Sequence, residues 1–552
     1  VEVKWLEDWS QTSAWQNETA YAYFCVKASE QVAYQVTTSN LAKDEHQLFY
    51  VASTQAHIGR GTVWGEIPAV PKETYQDLLR PVDKETVFTE TSQLFCLATT
   101  FKKAGEYQRT IVLKCQNNPE IVFSLNQQVL PLSLPERKAF SLELWQYPFA
   151  VARYYQIPRE ELFQMKHLEK IQESLRPYQE AGGETIVATI VHDPWNHQTY
   201  DAYPSLIQWK KQADQFVFDF TWFDRYVTLN LEMGIQQKIK CFSLLPWADK
   251  IAYYDEKNEQ QIRTYPVGSK KWQDLWRQFL TAFTQHLEGK NWFDRTYIAI
   301  DERPAEEIQA VIDLLAEFPH QKTGERLKIS CAMDYQSFDE QLLDQIDDLA
   351  IGQSHLGQRE HFQKMCQRRR EKGLFTSIYN CVGDYPAMFL ASHPLESRWL
   401  PWYYLSYESD GFLRWALDAW PKDPLQDGSH WYWESGDPFL IYPHQKNEQA
   451  AYLSVRFQQL IRGLNDVNKY LYLKNKNARL VKPLTSDLNE LVSPPGATNT
   501  YGARVAQSTK NEEQLAKMLQ QLTRHLQRLT QQYLKEQEEN DETKSINSGY
   551  TK

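Results

Sequence analysis

Two adjacent carboxylates, Asp301 and Glu302, directly follow the apolar run Tyr297-Ile298-Ala299-Ile300 and precede Arg303-Pro304. Other Asp-Glu dipeptides, at Asp44-Glu45, Asp255-Glu256, Asp339-Glu340 and Asp541-Glu542, lie in polar segments. An acidic pair at the end of an apolar strand, before a Pro that can open a helix, is placed for chemistry or for favourable contact with a helix N-terminus. Separated carboxylates flanking a bond supply the acid and the nucleophile or base of glycosidic cleavage. Side-by-side carboxylates cannot easily flank one bond. They suit a sugar that carries its own nucleophile, a 2-acetamido group: Glu302 protonates the leaving oxygen and later activates water, and Asp301 holds the acetamido N–H.

The pair needs a frame, and the rest of the chain provides one. From about residue 139, apolar runs at 141–145, 185–192, 239–245, 297–301, 327–333, 349–353, 375–379 and 411–417 read as strands. Amphipathic helical patterns alternate with them, for example at 270–286, 305–318, 338–345 and 359–372. Eight such alternations predict a (β/α)8 TIM barrel, whose site lies at the C-terminal strand ends. A doubly wound open sheet would normally carry a glycine-rich phosphate turn after its first strand, and none is found.

The strand-end rule yields further candidates for contacting substrate: Trp145; His192, Asp193 and Trp195; Trp247; Tyr335; Tyr379 and Asn380; and Trp415 with Asp418. Arg398 and Trp402 join them from the loop expected between the seventh and eighth strands, and Trp431 and Trp433 from an insert that could form the rim. Tyr335 is the candidate donor to the acetamido carbonyl oxygen. Indole and phenol rings cover the C–H faces of sugars and also donate hydrogen bonds. The chain's 18 Trp and 31 Tyr are compatible with that use. No His/Asp/Glu spacing argues for a metal, and the chemistry calls for no cofactor.

Residues 1–138 read as a β-sandwich of short alternating strands such as Ala20–Val26 and Thr110–Lys114, closed by the Pro-punctuated stretch 130–135. Residues 139–475 are the expected barrel, and 476–552 a helical extension with a flexible tail. Within that extension Leu515, Leu519, Leu522, Leu526, Leu529 and Tyr533 recur at four- and three-residue steps. This seam either docks on its own barrel or offers a homodimer contact. The last dozen residues, polar and Gly/Ser-containing, are expected to be disordered.

A formal net charge of -11 gives the 552-residue chain no general attraction for nucleic acid. No apolar run has the length of a membrane span. The seven cysteines are odd in number, irregularly spaced and without a C-x-x-C, so buried free thiols and a cytoplasmic location are expected. A secreted mature form stays open.

The chain resembles glycoside hydrolase family 123, including the C-terminal region known as DUF4091. The segment Pro394-Leu395-Glu396-Ser397-Arg398-Trp399-Leu400-Pro401-Trp402 is similar to the family's loop between strands seven and eight. Gly411-Phe412-Leu413-Arg414-Trp415 with Trp420 is similar to its eighth strand. Gly436-Asp437, Tyr442-Pro443, Ser454-Val455-Arg456 and Arg462-Gly463-Leu464-Asn465-Asp466 resemble its closing block, and Phe218–Tyr226 the segment before its third strand. Met388 departs from the Asn expected at its position. The resemblance covers roughly residues 140–472. It implies a β-sandwich followed by a catalytic barrel, and β-N-acetylgalactosaminidase activity on a glycan or glycoconjugate by substrate assistance, with Asp301 and Glu302 as the catalytic pair and Tyr335 as the carbonyl donor. A glycosidase of other sugar specificity, or a binding protein without turnover, are the alternatives.

Overall fold

The computed structural model describes residues 1–43, 45–57, 71–116, 118–333, 339–380, 385–445, 450–490 and 501–549, with side chains after 488 described only over 512–542. Tyr335 therefore lies outside the described residues, as does Cys381. Among the described residues no helix is long and apolar enough to cross a membrane.

The N-terminal part folds into a five-stranded sheet and a four-stranded sheet. Strand Thr19–Lys27 pairs antiparallel with Ser92–Thr100 in the first, and Tyr34–Ser39 with Gly105–Cys115 in the second. The alternation seen in the sequence points one face of each strand inward. Phe24 and Phe95 from one sheet meet Val36, Ile111 and Leu113 from the other in a shared apolar core. The pairing of Ser13–Trp15 with Ile121–Leu130 is parallel, an exception in otherwise antiparallel sheets.

Eight parallel strands follow. In chain order they are Ser141–Leu144, Thr185–Thr189, Lys238–Phe242, Thr296–Asp301, Lys328–Met333, Asp348–Gly352, Phe375–Asn380 and Gly411–Arg414. Each of the eight apolar runs in the sequence overlaps one of them, to within one residue where the strand extends past the run. The first strand pairs with the eighth, and successive neighbours continue round from the eighth back to the second. One bridge, Leu142 to Gly183, joins the remaining edges, so the sheet is a nearly closed barrel. Helices such as Lys270–Lys290, Ala305–Leu315 and Arg359–Glu371 alternate with the strands. Ser269 caps the first of these by accepting from Trp272 N, and Glu306 and Glu307 sit in the first turn of the second.

The structure corrects two readings of the sequence, at the stretch around Arg398 and in the C-terminal tail, and adds a small sheet that sequence reasoning did not place. The stretch around Arg398 is a helix, Pro394–Leu405, whose capping box pairs His393 with Glu396. A hairpin, Gln208–Gln212 with Gln215–Asp219, joins Lys250–Tyr254 and Gln260–Thr264 in a four-stranded sheet outside the barrel. The C-terminal helix runs from Tyr501 to Gly549, through most of the stretch expected to be disordered. Its polar run lacks Pro, and Gly appears only at its end, so nothing in that stretch breaks a helix.

The leucine seam of that helix is used within the chain. All six of its residues are buried in the main core, where the helix meets Pro394–Leu405 and Val455–Lys476. The face read as a dimer contact is thus already covered. Of the six described cysteines, all free thiols, Cys96, Cys241, Cys331 and Cys366 are buried, and Cys25 and Cys115 only partly so.

The N-terminal sheets grip the barrel through charge and backbone. Arg456 is paired with Asp77 at 2.9 Å and also donates to the carbonyls of Met388 and Gly436. Tyr442 OH reaches Asp77 at 2.7 Å. Thr54, Gln55 and His57 bond the segment from Pro424 to His430, and Ser435 Oγ donates to His57 O at 2.8 Å. This segment leads into one wall of the cavity described next.

Candidate active site

At the C-terminal ends of the parallel strands, Asp301 and Glu302 line a cavity of about 80 Å³. Trp145, Trp247, Tyr379, Trp415 and Trp433 form much of its wall, and Gln198 and Asp437 add polar groups. Asp301 ends the fourth strand, in register with Ala332 of the fifth. Glu302 then turns into the left-handed region, φ 51°, which a residue with a β-carbon rarely adopts. Its N–H donates to Ala332 O at 2.8 Å, which pins the turn to the neighbouring strand. The turn is what lets two consecutive side chains face one cavity.

The surroundings fix the Glu302 carboxylate and the Asp301 backbone. Tyr379 OH donates to Glu302 Oε1 at 2.7 Å. Trp247 Nε1 donates to the Asp301 carbonyl at 2.9 Å. Arg303 is buried and binds Pro246 O, Trp247 O, Asp249 and Glu307, at 2.6 to 3.1 Å. It fastens the loop after the third strand to the loop after the fourth. Sequence reasoning passed over Arg303, although an Arg next to the acidic pair was the available signal.

The opposite wall rests on a buried ionic network. Arg414, the last residue of the eighth strand, pairs with Asp437 at 2.6 Å, both side chains 0% exposed. Arg414 also donates to Asn380 Oδ1 at 2.6 Å, and Asn380 Nδ2 reaches Gln353 Oε1 at 3.2 Å. Asn380 is therefore a support behind Tyr379 and does not line the cavity. Asp437, quoted only as part of a resemblance motif, does line it. Trp433 Nε1 donates to Gln198 O at 3.1 Å, tying the insert to the loop after the second strand. Trp431 stays outside the cavity, stacked on His197 and His430.

Several sequence candidates lie elsewhere. Trp195 is buried behind Trp145, packed on it and on Phe242. His192 faces a separate cavity of about 250 Å³ walled by Phe149, Trp209 and Trp222, and burial pulls its pKa below the ordinary value despite Asp193 beside it. Asp193 adopts φ 51° and accepts from His197 N at 2.8 Å, so it shapes a turn. Asp418 accepts from Tyr147 N at 2.8 Å and Ser174 Oγ at 2.9 Å; burial pushes its carboxyl up to about 6. Arg398 lies under the C-terminal helix, bonded to Asp466 and Thr523. Trp402 packs on Tyr470. Both belong to the contact between Pro394–Leu405 and Val455–Lys476. That contact is close enough that a β-carbon on Gly463 would meet Arg398 O at 2.4 Å. The residues picked from strand ends thus split into those facing the cavity and those buttressing it, a division that alternation alone does not reveal where strands turn into loops.

Chemically, the cavity offers one carboxylate bonded to a phenol, a second carboxylate beside it, and aromatic faces. Among the described residues no group of three or more His, Cys, Asp or Glu is arranged to hold a metal ion.

Comparison with known proteins follows the same lines. The family model described as Glycoside hydrolase 123, catalytic domain, matches residues 145–473. Among solved structures, a family 123 glycoside hydrolase from Clostridium perfringens, studied for glycolipid glycan hydrolysis, aligns with TM-score 0.85 and 32% identity, over 96% of this chain and 94% of its own. A GH5 xyloglucanase from Bacteroides ovatus (9% identity, 84% and 100% coverage) and a family 39 glycoside hydrolase from Bacteroides cellulosilyticus WH2 (10%, 84% and 83%) align with TM-scores of 0.29 and 0.35, too low to support an inference. No curated protein matches the chain.

Proposed function

The chain belongs to glycoside hydrolase family 123 and is a glycoside hydrolase; from that premise we propose that it removes terminal β-linked N-acetylgalactosamine with retention of configuration, using the substrate's own 2-acetamido group. The observation that carries this reading is that Asp301 and Glu302, consecutive in the chain, both line one Trp-walled cavity. Their adjacency suits a nucleophile supplied by the sugar better than one supplied by the protein.

In the first step the acetamido carbonyl oxygen bonds to the anomeric carbon as the bond to the leaving oxygen breaks. Glu302 gives its proton to that oxygen. Asp301 accepts a hydrogen bond from the acetamido N–H and balances the positive charge of the oxazolinium ion that forms. In the second step Glu302 takes a proton from water, the water oxygen bonds to the anomeric carbon, and the acetamido group is regenerated. Tyr335 is proposed to hold the acetamido carbonyl. Tyr379 sets the Glu302 rotamer, and Trp145 and Trp415 cover the sugar ring. For the aglycone, the Clostridium perfringens relative's glycolipid glycan hydrolysis makes a glycolipid headgroup the first natural substrate to assay.

The test is a panel of chromogenic β-GalNAc, β-GlcNAc and β-Gal substrates with a thiazoline inhibitor. Cleavage restricted to the 2-acetamido sugars, fastest for β-GalNAc and blocked by the thiazoline, is expected. Comparable cleavage of β-Gal would exclude obligatory acetamido participation.

A further inference from the structure

Beneath the cavity, inside the barrel, runs a chain of buried charges that no step of the proposed chemistry uses. Lys238 and Lys240 lie on the third strand, Glu143 on the first and Asp348 on the sixth. Lys238 Nζ meets Asp348 at 2.6 Å, Lys240 Nζ meets Asp348 at 3.2 Å, and Lys240 Nζ meets Glu143 Oε2 at 2.7 Å. The side chains of Glu143, Lys240 and Asp348 are 5%, 1% and 0% exposed. The order along the chain is plus, minus, plus, minus, so the array is neutral. Burial works against the charge on Lys240, but Asp348 and Glu143 outweigh it and hold its pKa above the ordinary value.

The chain ends on the cavity. Glu143 Oε1 accepts from Trp145 Nε1 at 3.0 Å. Trp145 is two residues on along the same strand direction, so both side chains project to the same side. Its ring packs on Phe242, centroids 4.5 Å apart, and on Trp195 at 5.8 Å, and it lines the cavity beside Asp301 and Glu302. Packing limits how far the ring can shift. Among the described residues, the hydrogen bond to Glu143 is what holds its N–H edge. A carboxylate left unbalanced in this interior would be costly, and Lys240 supplies its counter-charge.

We propose that Glu143 is a positioning residue for substrate binding: its carboxylate fixes the indole of Trp145 in the cavity, and the buried Lys240–Asp348–Lys238 chain fixes Glu143. The proposal rests on reading this cavity as the sugar pocket. A ring that contacts substrate and transition state alike contributes uniform binding, so loosening it raises KM with little change in kcat.

The experiment uses the full chain labelled with nitrogen-15 at the indole positions. The Trp145→Phe variant identifies the Trp145 N–H resonance by its loss. In Glu143→Leu that resonance is expected to move; in Glu143→Gln, whose amide oxygen still accepts, it is expected to move less. Kinetics on whichever aryl glycoside the wild type cleaves is expected to show KM raised roughly 5- to 10-fold in Glu143→Leu, partly rescued in Glu143→Gln, with kcat within about twofold. Should Glu143→Leu fail to fold, the Glu143→Leu/Lys240→Met pair removes both charges together and leaves Asp348 with Lys238. An unmoved Trp145 resonance, or wild-type KM alongside a lowered Tm, overturns the proposal. The resonance does not depend on which sugar is cleaved, so failure of the β-GalNAc reading leaves this result separately readable.

Discussion

The phenol of Tyr379, on the seventh parallel strand, reaches across the barrel mouth and donates to Glu302 Oε1, just past the fourth strand, at 2.7 Å. This bond selects one rotamer of the proposed acid/base. Tyr379→Phe keeps the ring and removes the donor. Its expected effect is a fall in kcat of roughly 10- to 100-fold with KM changed less than threefold, measured on aryl β-GalNAc.

In the proposed mechanism the two carboxylates have different jobs and should fail differently. Glu302→Gln removes proton transfer and is expected to lower kcat by roughly 10²- to 10⁴-fold on a substrate with a poor leaving group. With a 2,4-dinitrophenyl leaving group, which needs little protonation, the first step recovers and the loss shrinks. Asp301→Asn keeps the shape but not the charge, and its loss is expected to be the same for both leaving groups. Steady-state kinetics on the two substrates separates the roles.

The side chains of the Arg414–Asp437 pair are both 0% exposed, so removing one partner takes a buried counter-charge from the other. Arg414→Met is expected to destabilise the fold by about 3 to 5 kcal/mol, read from urea unfolding. Asp437→Asn retains an acceptor for Arg414 and is expected to cost less stability while changing activity, because Asp437 also lines the cavity.

Asp418 predicts a pH dependence of stability. Its carboxyl is pushed from an ordinary 3.8 up to about 6, chiefly by burial and in spite of the bonds from Tyr147 and Ser174. The folded state therefore binds this proton more tightly than the unfolded chain. The associated stability is fully present below pH 4, is lost as pH rises to about 6, and stays lost above it. The loss is about 3 kcal/mol at most. Asp418→Asn should abolish this component, so wild type and variant diverge between pH 4 and 6 in urea unfolding.

The C-terminal helix is expected to be integral to the core. Leu519 and Leu522 are 1% and 2% exposed, and truncating either to Ala should cost about 2 to 5 kcal/mol. Light scattering of a chain cut at residue 500 is expected to show association, since the apolar faces of Pro394–Leu405 and Val455–Lys476 lose their cover.

The barrel strands were readable because each is an apolar run bounded by polar helices, and burial on both faces leaves little else for such a run to be. The acidic pair was readable for a related reason: Asp301 ends one of those runs. What stayed hidden depends on long-range contact. Arg398 and Trp402 sit in a segment rich in Pro and aromatics, and only the approach of Gly463 and the C-terminal helix makes it a buried helix. His192 and Asp193 follow the second strand, but that strand stops at Thr189 and the chain turns away from the cavity. Asp437 and Trp433 come from an irregular insert with no periodicity, so their place in the wall follows from Arg414 and Gln198, partners far away in sequence.

Because Arg456 clasps Asp77 while also holding the carbonyl next to Asp437, the N-terminal sheets act as a scaffold for one flank of the proposed reaction chamber. A shortened chain beginning at residue 139 would leave that guanidinium without its counter-ion and the tryptophan-bearing flap without its backing. The first 138 residues are thus part of the catalytic machine's frame, and changes there, distant from any sugar, would register as altered turnover.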